Sequence, residues 1–139
     1  QHDPPTHEEV QQARAWIRRE TEKTMGAMPQ RDGLTFVGTA GTITSLAAMA
    51  QQLQTYEPAR IHNYRLSLET ITHLEQQLLA RTKAARIGMP GLEKNREDVI
   101  AAGAIIVRTI METLGEQECL VSDLGLREGV LLDLAKRRR

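Results

Sequence analysis

Apolar residues along this chain recur with two periods, and the changes of period divide it into elements. The prolines hold Gln1 to Pro5 extended. Thr6 with Glu9 three residues on reads as a capping box, and Val10, Ala13, Ile17 and Thr24 then keep to one side of a helix with Trp16 beside them. The other side, Arg14, Arg18, Arg19, Glu22 and Lys23, reads as a solvated charged face. Gly26 and Pro29 stop this helix, and Gln30 to Gly33 reads as a loop. Leu34-Thr35-Phe36-Val37 is β-prone and runs into Gly38-Thr39-Ala40-Gly41. The chain resumes as a helix from Thr42 to about Gln54, with Ile43, Leu46, Ala47 and Ala50 inward.

The second half repeats the alternation. Thr55 to Asn63 reads as irregular, with Pro58 as a breaker, and Tyr64-Arg65-Leu66 as a short strand. Ser67 caps a helix that stripes Leu68, Ile71, Leu74, Leu78 and Leu79. Thr82 to Glu93 is predicted to be a loop, with Asn95 as N-cap of the most hydrophobic helix, Val99 to Leu114. That helix carries two apolar rows, one of Val99, Gly103, Ile106 and Ile110, the other of Ile100, Val107, Met111 and Leu114. It is therefore expected at the centre, with Gly103 admitting a second backbone. After Gly115, Glu118 to Ser122 is a strand, and the last helix is expected to turn Leu126, Val130, Leu131 and Leu134 inward before a solvated basic tail, Lys136 to Arg139. Strands alternating with helices predict a helix-rich α/β domain around a parallel strand pair.

Composition narrows the class. A chain of 139 residues fits one domain with a real core, and a single Phe, a single Trp and two Tyr make that core aliphatic. Eighteen basic against eighteen acidic residues leave no field that would steer the protein to nucleic acid or membrane. One cysteine excludes an internal disulfide framework and suits a reducing, cytoplasmic setting. No apolar run approaches the roughly 18 residues of a membrane helix, and no signal-peptide pattern opens the sequence.

Candidate chemistry gathers at the glycine turn. A strand, a tight turn and a helix start converge backbone N–H groups on an anion. Gly38 and Gly41 let a ligand approach closely, and Thr39 and Thr42 offer hydroxyls. The same pattern is equally consistent with glycines that serve packing alone. Arg96 and Asp98 are expected in the first turn of the hydrophobic helix, as ligand contacts or as a surface pair and a dipole partner. His62 and His73 lack further ligands at metal spacing and read as a loop residue and an exposed helix residue. Cys119 reads as a small buried hydrophobe.

A second glycine-rich stretch, Ser122-Asp123-Leu124-Gly125-Leu126-Arg127-Glu128-Gly129, follows the second strand. Taken with Phe36-Val37-Gly38-Thr39-Ala40-Gly41-Thr42, it resembles the exopolyphosphatase/guanosine pentaphosphate phosphatase family. His62-Asn63-Tyr64-Arg65-Leu66-Ser67, Met89-Pro90-Gly91-Leu92 and Arg96-Glu97-Asp98-Val99-Ile100-Ala101-Ala102-Gly103 are similar to intervening landmarks of that family in the same order, and Asp3-Pro4-Pro5-Thr6 to the residues after its sheet meander. The resemblance spans nearly the whole chain.

It implies a partial actin-like (ribonuclease H-like) domain over residues 1–139, the C-terminal part of a two-domain enzyme's second domain. By the same resemblance Gly38, Thr39, Ala40, Gly41, Thr42, Arg96 and Asp98 would meet phosphate or nucleotide, and Asp123, Gly125, Arg127, Glu128 and Gly129 form the second connecting motif. The chemistry implied is hydrolysis of terminal phosphates of polyphosphate or of guanosine pentaphosphate, with magnesium and a glutamate. The motifs for the metal, the glutamate and the other phosphate loops are not in this sequence, so no catalytic residue is expected here and the chain alone should be inert. Expected partners are polyphosphate or guanosine penta- or tetraphosphate, the N-terminal half of the same protein, and a second copy of the chain. Two other readings stand beside it, a non-catalytic nucleotide-binding module and an interaction domain whose glycine loops only pack. In the related fold the strand matching Thr35 to Gly38 lies between the meander and the strand matching Cys119 to Ser122, so without the meander it is expected to leave one flank bare here.

Overall fold

A computed structural model describes residues 2–26 and 33–137. The first helix, α1 (His7–Met25), opens on the expected capping box: the Thr6 hydroxyl accepts from the Glu9 N–H at 3.2 Å and the Glu9 carboxylate from the Thr6 N–H at 2.8 Å. Gly26 caps its end; Pro29 and most of the following loop lie outside the described residues. Val10 and Ile17 are buried as their spacing requires, while Thr24 and Trp16 face outward.

Strand β1 (Val37–Thr39) begins three residues later than the β-prone run and includes Thr39. It is followed by α2 (Gly41–Ala50), the short α3 (Pro58–Ile61), β2 (Arg65–Ser67), α4 (Leu68–Leu79), the short α5 (Lys83–Arg86), α6 (Ile100–Leu114), β3 (Glu118–Ser122) and α7 (Leu126–Arg137). The sheet order is β1-β3-β2, with β3 parallel to β1 and antiparallel to β2. The central strand is β3, and its parallel partner β1 is a sheet edge whose outer flank meets no other strand among the described residues.

Five expectations change. Pro58 starts a helical turn instead of breaking one, because its fixed φ suits the first helical position. Thr82 caps α5 inside the predicted loop by accepting from the Ala85 N–H. Asn95 is not the cap of α6; it takes φ +67 and turns the chain before the helix begins at Ile100. In the first expected row Val99 and Ile106 are exposed although Gly103 is buried, while Ile100 and Met111 of the second row are buried together with Ala101, Ala104 and Ile105. The last helix does not face inward. No residue of α7 is buried, and Leu126, Leu131 and Leu132 are 84%, 67% and 64% exposed.

The core lies between the sheet and α2, α4 and α6, where Leu46, Ile61, Leu66, Ile71, Leu78, Ile100, Met111 and Val121 are closed to solvent. Helix α2 is buried from Ile43 to Met49, and Gly91 admits its close approach: with φ +81, its α-carbon packs on the Ala48 and Met49 backbone. Helix α1 joins the far side of α6 through Val10, Ile17 and Ile105.

Arg14, read as solvated, is also tied inward. Its guanidinium meets the buried Glu75 carboxylate and donates to the Thr109 hydroxyl at 3.1 Å, while Arg108 reaches the other Glu75 oxygen at 3.4 Å. A buried carboxylate persists only when its charge is compensated, and two guanidinium groups compensate this one.

Candidate functional site

The glycine turn, the approach to α6 and the turn after β3 enclose one cleft of about 470 Å³, lined by Thr39, Ala40, Gly41, Thr44, Tyr56, Glu93, Arg96, Asp123, Gly125, Leu126, Arg127 and Glu128. Parallel pairing of Val37, Gly38 and Thr39 with Leu120, Val121 and Ser122 puts the ends of both strands at the same side of the sheet. Both glycine-rich turns therefore meet there, a placement shared by ligand clefts in open α/β sheets.

The two glycines of the first turn have different jobs. Gly38 is buried, and a side-chain carbon on it would stand 2.7 Å from Cys119 Sγ and 2.8 Å from Ile43 Cγ1. This glycine serves packing. A side-chain carbon on Gly41 would instead overlap the guanidinium of Arg96. Between them Ala40 holds φ +71 and ψ 178, a conformation costing a non-glycine residue about 1–3 kcal/mol. Thr39 donates its hydroxyl to the Leu124 carbonyl at 3.0 Å, which binds the two turns together. Thr42 turns away from the cleft: its side chain fills the space above Gly103, which thus admits a threonine where a second backbone was expected.

Arg96 and Asp98 separate. The turn at Asn95 and the late start of α6 leave Arg96 at the cleft, where its Nε donates to Glu93 at 2.8 Å. Asp98 faces a different groove, between α1 and α6, and pairs with Lys83 at 3.5 Å. Gly129 does not line the cleft, and Gly125 does. Tyr56, Thr44 and Glu93 are additional lining residues that the sequence reading missed. Tyr56 gives its hydroxyl to Asp123 Oδ1, and partial burial, then this bond, push its pKa up to about 12.

Two helix starts face this cleft, and only one is satisfied. At α7 the Glu128 carboxylate accepts the Gly125 N–H at 2.7 Å; that bond, with the N–H of Glu128 itself, lowers its pKa. At α2 no side chain caps the N-terminus and no acidic residue stands in the first turn, so Arg96 is the ionised group placed against it. A cation there opposes the helix dipole by about 0.3–1 kcal/mol. An anion between the guanidinium and the first N–H groups of α2 would reverse that sign.

The other candidates fall to structure or packing. Cys119 is buried in β3, and burial pushes its thiol up to about 11. His62 Nδ1 accepts the Asp123 N–H at 3.3 Å and so supports the turn, while His73 sits 2.7 Å from Gln77 on α4. Among the described residues no three His, Cys, Asp or Glu side chains converge on a cation position. The cleft carboxylates are engaged by Arg96, Tyr56 and the Gly125 N–H. Asp123 keeps one oxygen open, but this donor set does not by itself hold magnesium. No described helix is long and apolar enough to cross a membrane.

Comparison with known proteins bears on the family and the fold. The Ppx/GppA phosphatase family model matches residues 1–138. The chain is 35% identical over 137 residues to Exopolyphosphatase 2 of Mycobacterium tuberculosis, covering 96% of this chain and 43% of that protein. The crystal structure of the Aquifex aeolicus member of the Ppx/GppA family superposes with a TM-score of 0.90 at 31% identity, covering 100% of this chain and 44% of that one. An exopolyphosphatase from Cytophaga hutchinsonii shares the fold, with a TM-score of 0.78 at 22% identity over 96% of this chain and 43% of its own. The chain thus spans less than half the length of these relatives. Its sequence and fold agree along that whole span: the chain belongs to the Ppx/GppA phosphatase family.

Proposed function

We propose that this chain is the C-terminal portion of a phosphatase acting on terminal phosphates of polyphosphate or guanosine pentaphosphate, and that it supplies one wall of the cleft holding them. One observation carries the reading. The Arg96 guanidinium, which donates to Glu93 through Nε, is also held against the uncapped N-terminus of α2, where an anion placed between them would favour both. Phosphate bound there would accept charge-assisted hydrogen bonds from Arg96 and from the first N–H groups of α2, with Arg127 as a second cation on the rim.

The remaining reaction parts belong to the rest of a longer protein, in keeping with relatives more than twice the length covered here. The same remainder is the partner we assign to the exposed apolar residues of α7 and to the open edge of β1. Magnesium, expected from the resemblance, would be held outside this chain's own side chains.

Calorimetric titration with inorganic tripolyphosphate tests the wall. Replacing Arg96 by Ala should weaken binding about 10- to 100-fold, the worth of one or two charge-assisted bonds. Unchanged affinity would refute the assignment. Incubated with polyphosphate and magnesium, the chain alone should release no phosphate above a control without protein.

A further inference from the structure

The cleft is not uniformly cationic, and its polarity bears on which phosphorylated molecule it takes. Arg96 and Arg127 stand among its lining, but so do Tyr56 and Asp123, joined across the cleft from the α2–α3 connection to the turn after β3. Three carboxylates line it, and two are neutralised locally, Glu93 by Arg96 and Glu128 by the start of α7. Asp123 differs. One of its oxygens accepts the Tyr56 hydroxyl, and the other makes no bond to any described residue.

The pair is well supported. The Asp123 N–H donates to His62, and Ser122 closes the same turn through bonds to the Leu124 N–H at 3.2 Å and carbonyl at 2.9 Å. The carboxylate is thus held by its own backbone and by a neutral phenol, with one acceptor oxygen left over. Such an oxygen repels phosphate and attracts a hydroxyl donor. Tyr56 is also the sole aromatic ring among the lining residues, with the exposed Leu126 as a second apolar surface. A bare phosphate chain has neither a donor nor an apolar part to offer this end. A phosphorylated nucleoside has both, a ribose diol and a base; acidic residues hold ribose hydroxyls in dinucleotide folds, and bases stack on aromatic rings.

We infer that Asp123, set in place by the Tyr56 hydroxyl, is the specificity-determining residue of this cleft: it accepts a hydrogen bond from a sugar hydroxyl of a nucleoside polyphosphate and disfavours an unsubstituted phosphate chain. Tyr56 is the positioning residue. The inference rests on the phosphate reading of Arg96 and Gly41, which fixes where the phosphate end lies. It goes further by choosing between the two substrate classes.

Affinities for guanosine triphosphate, its 2′,3′-dideoxy analogue and inorganic tripolyphosphate, taken at one ionic strength, provide the test. The unaltered chain should prefer the ribose form to the dideoxy form by about tenfold, the worth of one hydrogen bond to a charged group. Asp123→Asn should raise tripolyphosphate affinity by about tenfold through loss of one repelling charge, without a matching gain for guanosine triphosphate. Tyr56→Phe should act in the opposite sense on tripolyphosphate, lowering its affinity, because the carboxylate keeps its charge and loses its donor. Damage to the fold would lower every affinity together and cannot produce opposite signs. Ligand ratios equal within twofold in all three proteins would overturn the assignment of Asp123 and leave the phosphate reading standing. Failure of the unaltered chain to bind any of the three would overturn both.

Discussion

The Arg96 guanidinium rests over the α-carbon of Gly41, so a cation occupies the positive end of α2. This contact separates the two glycines of the turn by experiment. Gly41→Ala must displace only the end of a flexible side chain, so it should cost ligand affinity and little stability. Gly38→Ala must push into Cys119 and Ile43 and should cost about 1–3 kcal/mol of unfolding free energy. Urea unfolding and tripolyphosphate titration of both variants check the split, and the reverse pattern would contradict it.

Ala40 should be improvable. At φ +71 and ψ 178 it holds a conformation that glycine adopts freely, so Ala40→Gly is expected to stabilise the fold by about 1 kcal/mol in urea denaturation. A destabilised variant would mean that the alanine methyl contributes more than the backbone strain costs.

Glu75 is the ionised group on which α1, α4 and α6 converge. Its truncation to Ala should cost about 3–5 kcal/mol, because Arg14 and Arg108 lose their buried counter-charge. Arg14→Ala should cost less, since Arg108 still reaches the carboxylate. Unfolding curves that rank the two variants the other way would contradict the network.

Tyr56 sets an alkaline limit. Its pKa is raised to about 12, which means the folded state favours the neutral phenol over the phenolate. Its stabilising contribution is therefore complete below the ordinary tyrosine range near 10 and is lost as pH rises through about 12. In a Tyr64→Phe background, tyrosinate absorbance should rise only towards that upper pH, and Asp123→Asn should bring the transition down. An unshifted transition would contradict the Tyr56–Asp123 bond.

Most elements were legible because local chemistry sets them. Thr6 with Glu9 and Ser67 with Thr70 are caps readable at three-residue spacing, and Glu118–Ser122 is a strand in sequence and structure alike. What escaped was set by contacts distant in sequence. Arg14 looks like any charged helix residue until Glu75, 61 positions away, comes to meet it. Tyr56 lay in an irregular stretch with no motif, and only the fold carries it to Asp123, 67 positions away. The turn at Asn95 divided Arg96 from Asp98, which spacing alone had put together. Helix α7 shows the converse error: apolar residues at helical spacing predict a covered face but do not say what covers it.

An anion site between Arg96 and the start of α2 is the centre of the proposed function. Amide-proton NMR during titration with inorganic phosphate measures it most directly. The amides of Gly41, Thr42 and Ile43 should shift first and together, and Arg96→Ala should abolish their response. Shifts confined to the groove beside Lys83 and Asp98, or an undiminished response at Gly41 without Arg96, would contradict it.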